Sequence, residues 1–180
     1  EGEGASDACL RSQAYWSILG GSTGHLFGNT PIWLFGSDWQ GSLNSNGARS
    51  MAQMYALFAS RAWHNLVPDY AHQVVTAGYG DINDTSYVAV ARTSDGGSVI
   101  AYIPETPTIT VDMSQLIGPV TARWFDPVVG TFTDITGSPF VNVGSRDFTT
   151  PGPNAGGNAD WVLLLELATP QDQSLSFTSM

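Results

Sequence analysis

The stretch that decides the fold of the second half of the chain is residues 87–103, which read YVAVARTSDGGSVIAYI. Two apolar and β-branched runs, residues 87–92 and 99–103, flank the sequence Ser94-Asp95-Gly96-Gly97. Asp-Gly between two such runs is a strong hairpin signal, because the tight turn needs positive φ angles that glycine adopts without strain. These residues therefore predict two antiparallel strands joined by a turn at Asp95 and Gly96.

Outward from the hairpin, further short apolar segments follow along this half. They lie at residues 108–111, Val120–Phe125, 131–133 and Trp161–Leu167. A spacing of about ten residues between strands is typical of an antiparallel β-sandwich. We expect Trp124 and Trp161 in its core and a turn at residues 126–130 braced by Asp126. The Gly-, Pro- and Asn-rich residues 144–159 are expected to form a loop.

The first part of the chain shows helical periodicity instead. Apolar residues recur at helical spacing over Asp7–Leu19, which follows the N-cap candidate Ser6. A second helix is predicted over residues 48–63, with Asn46 or Gly47 as its cap. Its expected apolar face consists of Met51, Met54, Tyr55 and Phe58.

A buried strand is predicted between the two helices. Residues 32–35 are a continuous apolar run bounded by Pro31 and Gly36, a pattern that suits a strand covered on both faces in a parallel sheet. Helix, buried strand and helix together make an α/β unit. Pro68 cannot continue a helix, so the boundary between the two parts is expected there, giving domains 1–68 and 69–180.

Composition excludes several classes of partner. The 180 residues include six arginines, no lysine and 16 acidic residues, which gives a formal net charge of −10. Such a surface repels phosphate backbones and anionic lipids, so we expect neither nucleic acid nor a membrane as a partner. No apolar run approaches the roughly 20 residues of a membrane span.

The sequence also offers no metal or cofactor site. Cys9 is the single cysteine, so an internal disulfide and a cysteine-based zinc site are impossible. His64 and His72 are eight residues apart without cysteine support. The Gly-rich stretch 151–158 lacks the lysine and the following helix of a phosphate loop. We therefore expect no metal ion and no cofactor.

Two sets of motifs carry a resemblance to a known family. The first set is RSQAYWSIL at 11–19, GHLFGN at 24–29 and WHNLVPD at 63–69; the second is WFDP at 124–127 and DWVL at 160–163. They resemble the end of the catalytic barrel of apiosidase-like glycoside hydrolases and the β-domain that follows it, commonly labelled "putative collagen-binding domain". The resemblance implies an α/β remnant of a (β/α)8 barrel over residues 1–68, followed by an all-β antiparallel sandwich over residues 69–180.

The resemblance also implies that the full-length protein acts on a polysaccharide or oligosaccharide. Glycoside hydrolysis needs two carboxyl groups that flank the scissile bond. Glu1 and Glu3 lie where a barrel strand would end, so Glu1 is the candidate catalytic residue; the alternative is that both are solvated residues of an acidic loop. Because the chain reads like the inside of a longer protein, its catalytic pair is expected to be incomplete and the isolated chain inactive.

Four residues are candidates for binding the substrate in the cleft. The rings of Trp33 and Trp39 can stack on sugar faces, and His25 and Asn29 can bond to sugar hydroxyls. The alternative is that the histidine and the tryptophans are packed in the core.

Three functions stay open at this point. The first is the C-terminal portion of a secreted, polysaccharide-degrading glycoside hydrolase, in which the barrel end lines the glycan cleft and the sandwich braces it. The second is a glycan- or collagen-binding sandwich without catalysis, and the third is a sandwich whose partner is its own barrel. A row of exposed aromatics would favour binding, and a dry apolar face against the helices would favour bracing. If the chain stands alone, its uncovered apolar face predicts a homo-oligomer.

Overall fold

The computed structural model describes residues 6–105 and 107–168. Its α-helices are α1 Asp7–Leu19, α2 Thr30–Trp33, α3 Trp39–Ser42 and α4 Asn46–Ala59. Short 3-10 helices lie at Trp63–Asn65 and Met113–Gln115. The strands in this part of the chain are β1 Leu66–Pro68, β2 Val75–Ala77, β3 Ala89–Thr93, β4 Ser98–Ile103, β5 Thr108–Asp112, β6 Val120–Phe125, β7 Phe132–Asp134, β8 Ser145–Thr149 and β9 Trp161–Leu167.

The strands form two antiparallel sheets. A six-stranded sheet has the order β1-β3-β4-β9-β6-β7, and a three-stranded sheet has the order β2-β5-β8. The hairpin prediction is confirmed, since β3 pairs with β4 from Ala89↔Tyr102 to Arg92↔Val99 and Gly96 takes a φ of +75° in the turn. The central strands of the larger sheet are therefore fixed by a local turn.

Both faces of the six-stranded sheet are buried. One face contributes side chains to a buried cluster that also contains residues of the three-stranded sheet; in β4 these are Val99, Ala101 and Ile103. The alternate residues of β4, Ile100 and Tyr102, belong to a second cluster with the helices. The period of two along a strand produces this division. The fold thus has helices, a large sheet and a small sheet in that order.

Helices α1 and α4 supply the helical side of the second cluster. Their buried apolar residues are Ala14, Tyr15 and Leu19 of α1 and Met54, Leu57 and Phe58 of α4. They pack on strand residues that include Ile100, Tyr102, Phe125, Val162 and Leu164. The interface between helices and sheet is therefore largely apolar.

Several further predictions are confirmed. Helix α1 has the expected bounds, and the Ser6 side chain accepts a hydrogen bond from the Cys9 N–H at 3.2 Å, which caps the helix. Strands β6 and β9 also have the expected bounds, while β5 is one residue longer and β7 is shifted by one residue. Asp126 braces its turn, because one carboxylate oxygen accepts from the N–H groups of Val128 and Val129 and the other from Ala155.

The predicted buried strand at residues 32–35 is wrong. Asn29 is the N-cap of α2 and Pro31 lies in its first turn, where the missing N–H of proline costs nothing. After the helix the chain turns, and the side chains of Trp33 and Phe35 are 66% and 74% exposed. A parallel strand needs hydrogen-bonded neighbours, and the strands of the described region pair among themselves in antiparallel order instead.

The predicted loop at residues 144–159 is wrong in its first part. Residues Ser145–Thr149 form β8, which pairs with β5 and lies at the edge of the small sheet. Only Phe148 of this strand is buried, so the sequence has no apolar alternation that would indicate a strand. Strands β1 and β2 were not predicted either, because a run of three residues is too short to show apolar alternation.

Helix α4 differs from its prediction in bounds and in orientation. It covers Asn46–Ala59 rather than 48–63, and its N-cap is Ser45, whose side chain accepts from the Ala48 N–H at 3.3 Å. The expected face included Tyr55, which is 73% exposed, whereas Leu57 is buried. Gly47 and Ser50 are also buried in α4. The buried face of the helix therefore combines these two small residues with Met54, Leu57 and Phe58 and leaves Tyr55 outside it.

The two tryptophans expected in the core are there, and this generates a prediction for stability. Trp124 and Trp161 are 5% and 7% exposed, and their ring centroids lie 6.5 Å apart in an edge-to-face arrangement. Trp124→Ala and Trp161→Ala should each cost about 3–5 kcal/mol, because each leaves a large cavity. The measurement is the free energy of unfolding from urea denaturation.

The matched control is Trp33→Ala, which removes a tryptophan that is 66% exposed and should change stability by less than about 0.5 kcal/mol. Unchanged melting of the Trp124 and Trp161 variants together with loss of glycan or collagen binding would contradict the core assignment.

Candidate functional site

The residues predicted to act on a substrate are distributed over the helical part of the chain. Glu1, the candidate catalytic residue, lies outside the residues that the structure describes, and so does Glu3. The four candidate substrate-binding residues lie between α1 and α4, in a region that is irregular apart from the two short helices α2 and α3.

His25 borders an open apolar groove of about 330 Å³. The groove lies between the end of α1, the segment that follows it, and α4. Its walls include Ile18, His25, Phe27, Met51, Tyr55 and Trp63. His25 is thus partly exposed at a surface and is not a core residue.

Asn29 has a structural task in this arrangement. Its side chain is 4% exposed, and its amide nitrogen donates to the Ser42 carbonyl and to the Ser45 hydroxyl, both at 3.4 Å. Ser42 ends α3 and Ser45 caps α4, so Asn29 ties the start of α2 to the start of α4. A sugar hydroxyl could accept from the Asn29 amide only by sharing it with Ser42 and Ser45 or by replacing one of them.

The two tryptophans occupy different surroundings. Trp33 ends α2 and is 66% exposed. Trp39 begins α3, is partly buried, and meets the Phe35 ring edge-to-face with centroids 5.4 Å apart. Both can offer an aromatic surface, and the exposure of Trp33 and Phe35 together makes this the most apolar exposed part of the helical layer.

The groove around His25 is suited to binding and not to acid–base chemistry by carboxylates. Among the described residues that line it, none is aspartate or glutamate. Glycoside hydrolysis needs a pair of carboxyl groups about 5–9.5 Å apart. At this groove the described residues therefore supply walls without a carboxylate.

A buried polar network, which the sequence reasoning did not find, joins α1 to the sheet. The Nε and Nη2 atoms of Arg11 donate to the two carboxylate oxygens of Asp160 at 2.7 and 2.8 Å, and the two side chains are 1% and 2% exposed. Asp160 also accepts from the Tyr102 hydroxyl at 3.0 Å and from the Asn154 amide at 2.8 Å. The ion pair is thus bidentate, and each carboxylate oxygen of Asp160 accepts two hydrogen bonds.

Two aromatic rings shield this network. Tyr15 of α1 stacks on Tyr102 of β4 with centroids 4.6 Å apart and planes 3° from parallel. The Ser12 hydroxyl lies 3.1 Å from the Tyr102 hydroxyl and extends the network along α1. The arrangement holds α1 at one position on the sheet.

The network fixes the charge states of its members. Burial by itself lowers the pKa of the Arg11 guanidinium, but the hydrogen bond and the charge of Asp160 more than offset this, and the pKa is raised. Burial, and then the negative charge of Asp160, raises the pKa of Tyr102 well above its usual value. Arg11 is therefore cationic and Tyr102 neutral near pH 7, and neither serves as a proton donor or base there.

The signal for this network in the sequence was a charged residue on the core side of a helix. Arg11 precedes Tyr15 by four residues, so both side chains share the face of α1 that meets the sheet. The partner, Asp160, is 149 residues away, which is why no local pattern indicates it.

Within residues 6–105 and 107–168, no group of three or more His, Cys, Asp or Glu side chains is placed to hold a metal ion. None of the helices described there is both long and apolar enough to cross a membrane.

Two family models match consecutive parts of the chain. Residues 67–166 match the family described as "Putative collagen-binding domain of a collagenase". Residues 1–65 match the family described as "Apiosidase-like, catalytic domain". The ion pair between Arg11 and Asp160 therefore connects the two matched segments. No curated protein shows a significant match to the chain.

Two solved structures share the fold. One, described as "Glycoside hydrolase", has a TM-score of 0.78 at 24% identity and aligns with 91% of this chain and 37% of its own length. The other, a glycoside hydrolase family 5 protein from Bacteroides vulgatus ATCC 8482, has a TM-score of 0.76 at 22% identity, with 91% and 36% covered. The chain thus spans little more than a third of the length of these two proteins.

The buried ion pair generates a prediction for stability. Asp160→Asn keeps the size and the hydrogen-bonding oxygen of the side chain but leaves the Arg11 charge buried without a counter-charge. We expect a loss of about 3–5 kcal/mol in the free energy of unfolding, measured by urea denaturation. Arg11→Met combined with Asp160→Asn should recover part of the loss, because no buried charge then lacks a partner.

Asp134→Asn is the matched control, since Asp134 is exposed in β7 and its loss should change stability by less than about 0.5 kcal/mol. Equal stability of Asp160→Asn and the wild-type chain would show that the ion pair does not hold the helices.

Proposed function

The chain belongs to the family described as "Putative collagen-binding domain of a collagenase", and on that premise we propose that it is the C-terminal portion of a secreted glycoside hydrolase that degrades polysaccharide. In this proposal residues 1–68 are the last elements of a (β/α)8 barrel and line its glycan cleft. Residues 69–180 form a β-sandwich that braces the barrel. The change from helix to strand between Asn65 and Leu66, three residues before the proposed boundary, supports this division.

The observation that carries the bracing role is the buried interface between the helices and the six-stranded sheet. It combines a buried apolar cluster with the fully bonded pair Arg11–Asp160. The helices cannot separate from the sheet without exposing this apolar area to water and breaking the bidentate ion pair. Such an interface favours a β-domain that holds the barrel end in a fixed position over a module that moves independently of it.

The β-strand region supports the binding alternative less well. Among residues 66–105 and 107–168, the large aromatic side chains that are well exposed are Tyr70 and Phe132. Tyr70 follows β1 and Phe132 begins β7, and these strands are opposite edges of the six-stranded sheet. They do not form the row of aromatics that a glycan-binding face uses, so a glycan- or collagen-binding module without catalysis is the less supported function.

Exposed apolar side chains in the helical part favour the proposal that another protein segment covers this surface. Leu26 is 96% exposed, and Leu34 is 57% exposed beside Trp33 and Phe35. Exposed apolar surface that is contiguous marks a contact site. We propose that the remainder of the catalytic barrel covers this surface and pairs with the irregular segment after α1, with Glu1 as a catalytic carboxylate and with His25, Asn29, Trp33 and Trp39 near the glycan. Secretion fits the proposal, because polysaccharides are degraded outside the cell.

The first prediction from this proposal concerns activity. The 180-residue chain alone should not hydrolyse aryl glycosides or oligosaccharides, because it lacks a complete carboxylate pair. The chain joined to the rest of a catalytic barrel should hydrolyse a glycan, because a complete barrel needs about 250 residues. Release of reducing sugar is the measurement.

Glu1→Gln should abolish the activity of the extended protein, and the matched variant Glu105→Gln should leave it unchanged. An extended protein without glycosidase activity would contradict the proposal. Turnover by the isolated chain that Glu1→Gln abolishes would equally contradict it, since the machinery would then be complete in this chain.

The second prediction concerns association. The isolated chain should form dimers or larger species, because a second copy is the available cover for the exposed apolar side chains of the helical part. Light scattering measures the mass. Trp33→Ser combined with Phe35→Ser should shift the population toward monomer, whereas Val143→Ser, at a position that is 75% exposed in the β-strand region, should not. A monodisperse wild-type monomer would show that this part needs no cover.

A further inference from the structure

A second cavity, of about 350 Å³, lies where the 3-10 helix Trp63–Asn65 meets the β3–β4 hairpin. We call it the junction groove, and its walls include Arg61, Trp63, Asn65, Asp95, Ser98 and Glu166. Its volume falls within the roughly 300–1,000 Å³ of small-molecule sites. It is therefore large enough to hold part of an oligosaccharide.

The junction groove is distinct from the groove that His25 borders, although Trp63 lines both. It lies at the C-terminal end of α4, whereas Asn29 bonds to Ser45 at the N-terminal end of the same helix. The 14 residues of α4 span about 21 Å. A ligand in the junction groove would therefore bind at a distance from Asn29 and from the residues around it.

Three polar groups around the junction groove have capacity for a ligand. The indole N–H of Trp63, the side-chain amide of Asn65 and the hydroxyl of Ser98 make no hydrogen bond to any residue that the structure describes. The backbone of Asn65 is in use, since its carbonyl accepts from the Ser94 N–H at 3.2 Å. The backbone is thus held while the side chains stay available.

The charges of the junction groove favour a neutral ligand. Arg61 donates to Glu166 at 2.9 Å and to the Leu57 carbonyl at 2.6 Å, and Arg123 binds the same carboxylate, so the two arginines share one counter-charge and Asp95 balances the second. Asp95 adds a negative charge, with one oxygen accepting from the Gly97 N–H at 2.9 Å and the other directed to no described donor. In a chain of net charge −10, an anionic ligand would be repelled.

We propose that the junction groove binds a neutral saccharide unit. Carboxylate oxygens accept from sugar hydroxyls, an asparagine amide both donates and accepts, and a tryptophan offers an apolar wall with an N–H donor. The groove combines these groups in one cavity of the right size. The site would hold a glycan chain apart from the cleft, and the inference does not depend on Glu1 or on glycosidase activity.

The test is binding by the full 180-residue chain, measured by calorimetry and by NMR shifts, with neutral cello-, xylo- and mannopentaose, with oligogalacturonate, and with a lysine hexapeptide. At least one neutral pentaose should bind saturably and shift the amide signals of Asn65 and Ser98, which line the junction groove and not the groove that His25 borders. Asn65→Ala combined with Ser98→Ala should weaken binding about tenfold, the loss expected for one or two hydrogen bonds.

The matched control is Asn44→Ala combined with Ser22→Ala, which removes the same groups from exposed positions elsewhere and should leave affinity unchanged. If the groove variant does not fold by circular dichroism, the shift map of the wild-type chain decides the question. Absence of binding by all neutral pentaoses, binding of the lysine peptide alone, or shifts confined to His25 and Trp33 would each overturn the proposal. Lack of hydrolysis would not affect it, so its failure is distinct from that of the proposed activity.

Discussion

The position of the helices depends on one buried ion pair, between Arg11 of α1 and Asp160 at the start of β9. A guanidinium and a carboxylate that are removed from water are costly unless each is paired and bonded. Here both carboxylate oxygens accept from Arg11, and Tyr102 and Asn154 use the remaining acceptor capacity. Because neither charge can be left alone, α1 cannot slide along the sheet, and the packing of α4 on α1 follows from that fixed position.

The surfaces available for binding are those that the two buried clusters do not occupy. The six-stranded sheet buries both faces, as the alternation of Ile100 and Ala101 between two clusters shows. Binding surfaces are therefore left at the junction of helices and strands. Trp63 lines two of them, an apolar groove with His25 on one side and the polar junction groove with Asp95 and Glu166 on the other. The first groove is apolar and the second is polar, so the two differ in the ligand surfaces that they can contact.

The features that the sequence predicted correctly are those whose causes are close together along the chain. The turn at Asp95 and Gly96 aligns β3 with β4, and Ser6 caps α1 within its own first turn. Strands β6 and β9 are apolar enough to indicate burial wherever they pair. The motifs that resemble the two families are likewise continuous strings. The substrate-binding roles of His25, Asn29, Trp33 and Trp39 stay predictions.

Contacts between distant segments decided the rest. Residues 32–35 are apolar enough for a buried strand, yet no described strand is available to pair with them in parallel, so they form a short helix and a turn. Helix α4 buries Leu57 rather than Tyr55, which follows from how the helix packs in the cluster between the helices and the sheet. The sequence by itself determined helix α1, the β3–β4 hairpin and strands β6 and β9, and where charges and aromatics lie along the chain. Only the tertiary structure decided that Arg11 pairs with Asp160, which is 149 residues away. A buried charge is stable only beside an opposite charge, and the fold rather than the local sequence brings that opposite charge to Arg11.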